Sequence, residues 1–316
     1  MTLVTLEEIR AAQERIRAVA LMTPLVDVSS LAGRPLWLKC EGQQPGGAFK
    51  IRGAYNMVAQ LTNEERTRGV ITYSSGNHGQ AVALAAKALG APAVVVMPTT
   101  APRIKSDGAQ GYGAEVVFEG TTSLHRRAKA EEIAAARGLS MVPPFDHRWI
   151  IAGQGTLGLE LLDQLPGIAT VLVPIGGGGI VSGVGAAIKL SDPGITVIGV
   201  EPSGAASMKN AIDAGEVRTL DGAWSIADGL MAVRPGDLNF AHVRAFVDRV
   251  DTVTDPEIAA AVRWLFLSAG IVAEPSGAAA VAAALHPSAT YTPPVIAIVT
   301  GGNLDPADLA RYTEDC

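Results

Sequence analysis

The stretch QQPGGAFKIRGAYNMVAQL, residues 43–61, sets one lysine, Lys50, just past a Pro-Gly-Gly loop where a helix begins. Its neighbours are small or apolar: Ala48, Phe49, Ile51, Gly53 and Ala54. An amine among such groups is partly desolvated, which lowers its pKa and suits it to nucleophilic or Schiff-base chemistry. Taken alone, the stretch is explained more simply by a lysine snorkelling from an amphipathic helix. Three further loops change that balance, because each follows a strand-like run and opens a helix.

The first loop is ITYSSGNHGQAVALAAKALG, residues 71–90. Backbone N–H groups ahead of its helix suit a carboxylate or phosphate, although Ser74, Ser75 and Asn77 can simply cap the helix. His78, taken alone, reads as a helix-surface residue. The second is VPIGGGGIVSGVG, residues 173–185, where Gly176, Gly177, Gly178 and Gly179 let backbone amides approach a ligand closely. A phosphate at the next helix N-terminus is the natural tenant. The third, VIAIVTGGNLDPADL, residues 295–309, delivers Thr300 at the end of an apolar strand. Its hydroxyl can serve a heteroaromatic nitrogen or satisfy local backbone groups. An amine for an aldehyde, donors for a phosphate, a partner for a ring nitrogen and a separate carboxylate cradle are together the parts for holding pyridoxal phosphate.

These loops need a scaffold of alternating strands and helices. β-rich runs stand at Leu36–Lys39, Val70–Thr72, Ala93–Met97, Glu115–Phe118, Thr170–Val173, Thr196–Val200 and Val295–Val299. Between them the sequence predicts helices over 5–20, 49–61, 77–89, 102–110, 122–137, 149–164, 178–190, 256–268, 275–285 and 305–312. Such alternation argues for an α/β fold with parallel sheets. The 316 residues are enough for two lobes, with the ligand between them at strand C-terminal ends. The first helix carries a capping box, Thr5 with Glu8.

A net charge of −6 argues against nucleic acid or an anionic membrane as a partner. The cluster Arg126-Arg127 with Lys129, followed by Glu131 and Glu132, reads as a solvated helix face. The two cysteines, Cys40 and Cys316, form no disulfide framework or metal-ligand spacing, which fits a cytoplasmic protein. The uncharged run 169–188 is broken by Pro174 and four glycines, so strand, turn and helix explain it better than a membrane span.

The chain resembles the fold-type-II pyridoxal-phosphate enzymes, specifically the threonine/serine dehydratase and serine racemase group. The motifs that carry the resemblance, in order, are GGAFKIRGA, SSGNHGQAVA, PFDHRWIIAGQGTLGLELL, VPIGGGGIVSG, VIGVEP, IADGL, AEPSGAAA and TGGNLD. The resemblance implies a two-lobed, tryptophan synthase β-like architecture of parallel-rich twisted sheets flanked by helices. Residues 1–49 and 143–316 would form the large cofactor-binding domain, and residues 50–142 a smaller mobile one. It also implies a homodimer.

By the same resemblance Lys50 is the Schiff-base lysine and later the general base, and Phe49 flanks the cofactor ring. Asn77 meets the phenolic oxygen, Gly176 to Gly179 hold the phosphate, and Thr300 stands beside the pyridine nitrogen. Ser74, Ser75, Gly76, Asn77 and His78 receive the substrate carboxylate, and Glu274 lies near the ring. Two departures matter. Ser75 stands where plain dehydratases often carry alanine and where serine racemase has a second acid–base group. That keeps racemisation open beside simple capping. The family's divalent-cation site, for magnesium or calcium, maps to Glu201, Ala205 and Ser207, with Ser207 replacing an aspartate.

The implied activity is β-elimination of L-threonine or L-serine, small hydroxy amino acids, to a 2-oxo acid and ammonia. Amino-acid racemisation with a side dehydratase activity is the alternative. A hydroxyaspartate or phenylserine ammonia-lyase is a third reading, in which His125 or Arg126 would meet a second carboxylate. A dinucleotide-binding oxidoreductase built on the glycine loop leaves Lys50 and SSGNHG unexplained, and a non-catalytic binding module would not need Lys50.

Overall fold

The computed structural model describes residues 2–313 except Ser75, Pro102 and Thr122. Two residues singled out above, Ser75 and Cys316, therefore lie outside the described residues. Ten strands are described: β1 (Leu25–Asp27), β2 (Leu36–Cys40), β3 (Val70–Tyr73), β4 (Ala93–Met97), β5 (Glu115–Phe118), β6 (Ser140–Met141), β7 (Thr170–Pro174), β8 (Thr196–Pro202), β9 (Arg249–Val253) and β10 (Val295–Val299). They build two sheets. One runs β1-β2-β10-β7-β8-β9 and is parallel apart from the β1–β2 pair. The other runs β5-β4-β3-β6 and is parallel throughout.

Every residue of β4, β7 and β10 is buried. Helices cover both faces of such strands, which is why they read as unbroken apolar runs. Seven strands stand where the sequence predicts them. The other three, β1, β6 and β9, were not expected. β1 and β6 are too short to show alternation, and the edge strand β9 reads RVDTV, with charged residues and little burial. The ten expected helices are present, including Lys50–Val58, Asn77–Ala88 and Gly179–Ser191, and the Thr5–Glu8 capping box forms. Short helices at Asn63–Arg68 and Ser207–Ala214 and the longer Asp237–Phe246 add to them. Among the described residues no helix is long and apolar enough to cross a membrane.

Strand order explains where the loops meet. In the large sheet the chain leaves β7 toward β8 and β9, while β10 lies on the other flank of β7. In the small sheet it leaves β3 toward β4 and β5, with β6 on the other flank. Each reversal opens a crevice at the strand C-terminal ends. The loops there are Gly176–Gly179 after β7, Thr300–Asn303 after β10, and Ser74–Asn77 after β3.

Candidate active site

Lys50 is the first residue of its helix. Its amine sits 4.9 Å from the centre of the Phe49 ring and donates to the Pro144 carbonyl at 3.2 Å. Burial pulls its pKa down to about 8, against a smaller opposing pull from Glu274. The helix is anchored two residues further on. Arg52 is fully buried and forks onto Glu41 at 2.7 and 2.8 Å and onto Glu160 at 2.6 and 2.9 Å. Lys39 completes the cluster, 2.7 Å from Glu160, so two cations face two carboxylates. Removing one member of such a buried network leaves an uncompensated charge.

The Lys50 amine opens onto a cavity of about 290 Å³. Phe49, Ser74, Gly76, Asn77 and His78 line it. Gly176 to Gly179, Glu274 and Thr300 line it too. The structure thus brings Ser74, Gly76, Asn77, His78, Gly176 to Gly179 and Thr300 to one cavity with Lys50.

Gly177, Gly178 and Gly179 are buried, and among the described residues the amides of Gly176 to Gly179 meet no protein acceptor. Buried amides left without partners are costly, and an anion at a helix N-terminus satisfies them. Side chains are excluded here on geometry. A Cβ on Gly177 would lie 2.3 Å from the Phe145 ring, and Gly178 adopts φ +104°. The cradle fits a phosphate.

The second cradle behaves likewise. The helix Asn77–Ala88 begins from Gly76 with no side-chain cap, so the capping role expected of Ser74 and Asn77 is not taken up. Ser74 instead accepts the Gly76 amide at 3.2 Å. Asn77 donates to Glu274 and accepts from Asn303 at 2.9 Å, and Asn303 also reaches the Gly46 carbonyl at 2.8 Å. His78 is not a surface residue: it is 2% exposed, with Nε2 3.1 Å from the Val142 carbonyl and Nδ1 unpartnered. Burial, aided by the Lys50 charge, pushes its pKa down to about 3, so the ring is neutral.

Thr300 is buried at the end of β10, where Oγ1 donates to the Ser276 carbonyl at 3.3 Å. The Gly301 carbonyl accepts the Glu274 amide at 3.1 Å, tying this loop to the helix Pro275–Leu285. Burial raises the Glu274 pKa, and Lys105 pulls it back. Lys105 was not singled out from the sequence. It lines the same cavity, pairs with Asp228 and lies 3.5 Å from Glu274.

Arg126 corrects a second expectation. It is not on a solvated helix face but 8% exposed, in the cavity wall. Its neighbour Arg127 also lines the cavity and pairs with Glu131 on the same helix at 2.8 Å.

Glu201, Ala205 and Ser207 do not line this cavity. Both Glu201 oxygens accept amides at the start of the helix Ser207–Ala214, from Met208 and Lys209 at 2.8 Å. Burial pushes its pKa up to about 7. Ser207 Oγ is buried without a partner. Among the described residues no group of three His, Cys, Asp or Glu is placed to hold a metal ion. One carboxylate, one backbone carbonyl and one hydroxyl are a thin donor set for a hard divalent cation, which favours several oxygen ligands with carboxylates among them.

A family described as pyridoxal-phosphate dependent enzymes matches residues 16–301. The L-threonine ammonia-lyase of Thermotoga maritima is 42% identical over 306 residues, covering 96% of this chain and 76% of that protein. A serine racemase of Oryza sativa subsp. indica is 40% identical over 309 residues, covering 95% and 91%. The structure of maize serine racemase superimposes with a TM-score of 0.93 at 38% identity, over 98% of this chain and 97% of that one. With a family match over residues 16–301 and relatives at about 40% identity over nearly its whole length, the chain belongs to the pyridoxal-phosphate dependent enzymes.

Proposed function

We propose that the chain is an ammonia-lyase that removes water and then ammonia from small β-hydroxy amino acids, L-threonine and L-serine, to give 2-oxo acids. The observation that carries this reading is Lys50, an amine with a depressed pKa in the cavity that also holds the unpartnered glycine amides. Pyridoxal phosphate, when bound, supplies an aldehyde for amines and a sink for charge on the α-carbon.

The amides of Gly176 to Gly179 would hold the phosphate, Phe49 would flank the ring, and Thr300 would offer a neutral hydroxyl beside its nitrogen. Ser74, Gly76, Asn77 and His78 surround the anion cradle suited to the substrate carboxylate. Lys50 would take the α-proton on Nζ, the step a base near neutral pKa performs best. The hydroxyl then leaves the β-carbon as water. The neutral His78 ring adds no charge to the carboxylate cradle.

The residues Ser74, Gly76 and Asn77 and the helix Lys50–Val58 belong to residues 50–142, from which all four strands of the smaller sheet come, with β6 ending at Met141. Movement of that unit as a small domain against residues 1–49 and 143–316 would close the cavity and exclude water. The names of the rice and maize relatives favour a second reading, racemisation, with Ser75 as the second acid–base group.

The test is purified holo-protein given L-threonine, L-serine and D-serine. We expect 2-oxo acid from L-threonine and L-serine, and a loss of at least about 1000-fold in Lys50→Ala. Exchange of enantiomers without 2-oxo acid would replace this reading by the racemase.

A further inference from the structure

A second lysine stands against the residues proposed above to receive the substrate carboxylate. A Cβ on Gly76 would lie 2.8 Å from Lys105 Cδ and 3.1 Å from its Nζ, so the lysine lies across Gly76 and a glycine leaves it room. Lys105 comes from the helix Arg103–Gly111, is 4% exposed and lines the cavity. Burial opposes its charge, but Glu274 and Asp228 outweigh burial and hold its pKa above the ordinary value. The ammonium is therefore charged, and no step of the reaction proposed above uses it.

Its two partners differ. The Glu274 side chain is 3% exposed, and Asn77 donates to the oxygen that Lys105 does not pair with. The Glu274 amide is tied to the Gly301 carbonyl at 3.1 Å. The Asp228 side chain is 36% exposed, on the three-residue turn Asp228–Leu230. Beyond Lys105, it accepts from Ser276 Oγ at 3.4 Å. One ammonium already faces two carboxylates, and a third in the same buried place would be repelled. A substrate carboxylate reaching Gly76 must displace one of the two. An exposed carboxylate gives up an ion pair at little cost, and a buried one does not. Asp228 is the one that can leave.

We propose that Lys105 is the counter-charge for the substrate α-carboxylate, and that Asp228 holds this ammonium until substrate arrives and then gives it up. The proposal deepens the ammonia-lyase reading and rests on it for the substrate. The step is an exchange of ion pairs, with no covalent bond made or broken. Lys105 selects amino acids over amines and amino-acid amides. Asp228 sets how strongly a carboxylate must compete to be held.

The test is calorimetric titration of holo-protein with propionate and with the uncharged propionamide, beside steady-state turnover of L-serine. It compares wild type, Lys105→Met, Lys105→Arg and Asp228→Asn. Lys105→Met should weaken propionate about 10- to 100-fold and raise KM for L-serine by a similar factor, with kcat within about threefold. Propionamide should bind alike in all four proteins. Lys105→Arg should restore part of the propionate affinity. Asp228→Asn should tighten propionate, and lower KM, about 5-fold. Equal losses for propionate and propionamide, or a fall in kcat with KM unchanged, would mark Lys105 as structural and overturn the counter-charge. Propionate bound no more tightly by Asp228→Asn would overturn the exchange, and that variant decides the matter if Lys105→Met does not fold. Absence of 2-oxo acid from L-serine overturns the ammonia-lyase reading instead, and propionate against propionamide then tests Lys105 by itself.

Discussion

A lysine with a pKa of about 8 is a different reagent from one at 10.5. At pH 7 the shift raises the neutral, reactive amine roughly 300-fold. Burial disfavours the charged form, so the neutral fraction rises as pH climbs toward 8 and saturates above it. The rate at which cofactor-free protein takes up pyridoxal phosphate should follow that curve, rising between pH 6 and 8 and levelling beyond. A rate still climbing at pH 10 would show an ordinary lysine. Lys50 was legible in the sequence because its environment is local: Pro-Gly-Gly before it, apolar neighbours around it. Arg126 was not, since adjacent residues on a helix point about 100° apart. Arg127 reaches Glu131 one turn on while Arg126 turns inward, and the charge pattern alone does not say which is which.

At the scale of elements, the helix Lys50–Val58 holds its lysine in place through Arg52. That side chain joins the helix to Glu41, the residue after β2, and to Glu160 on the helix Arg148–Gln164. Arg52→Met should lower the unfolding free energy by about 3–5 kcal/mol, read by denaturant melts, because Glu41 and Glu160 would stay buried with only Lys39 between them. Arg52→Lys should recover part, as it keeps the charge but not the fork. A loss within error for Arg52→Met would mean the cluster adds nothing net. The strands and helices that carry the loops were readable, since buried parallel strands are apolar runs between turn signals. The Arg52 cluster was not, because Glu160, which completes it, lies 121 positions from Lys39 and 108 from Arg52.

At the scale of the molecule, two sheets present their C-terminal loops to one cavity, and a lysine comes into it from two directions. Lys50 enters beside the Thr300 loop, its neighbour Phe49 donating to the Thr300 carbonyl at 3.1 Å. Lys105 enters from the helix Arg103–Gly111 against Gly76. The assembly proposed above has Lys50 holding the cofactor while Lys105 stays charged, its pKa raised by Glu274 and Asp228 despite burial. Borohydride reduction of holo-protein, followed by peptide mapping in a mass spectrometer, fixes the cofactor to whichever amine holds it. We expect the label on Lys50 alone; a label on Lys105 would contradict the central assignment.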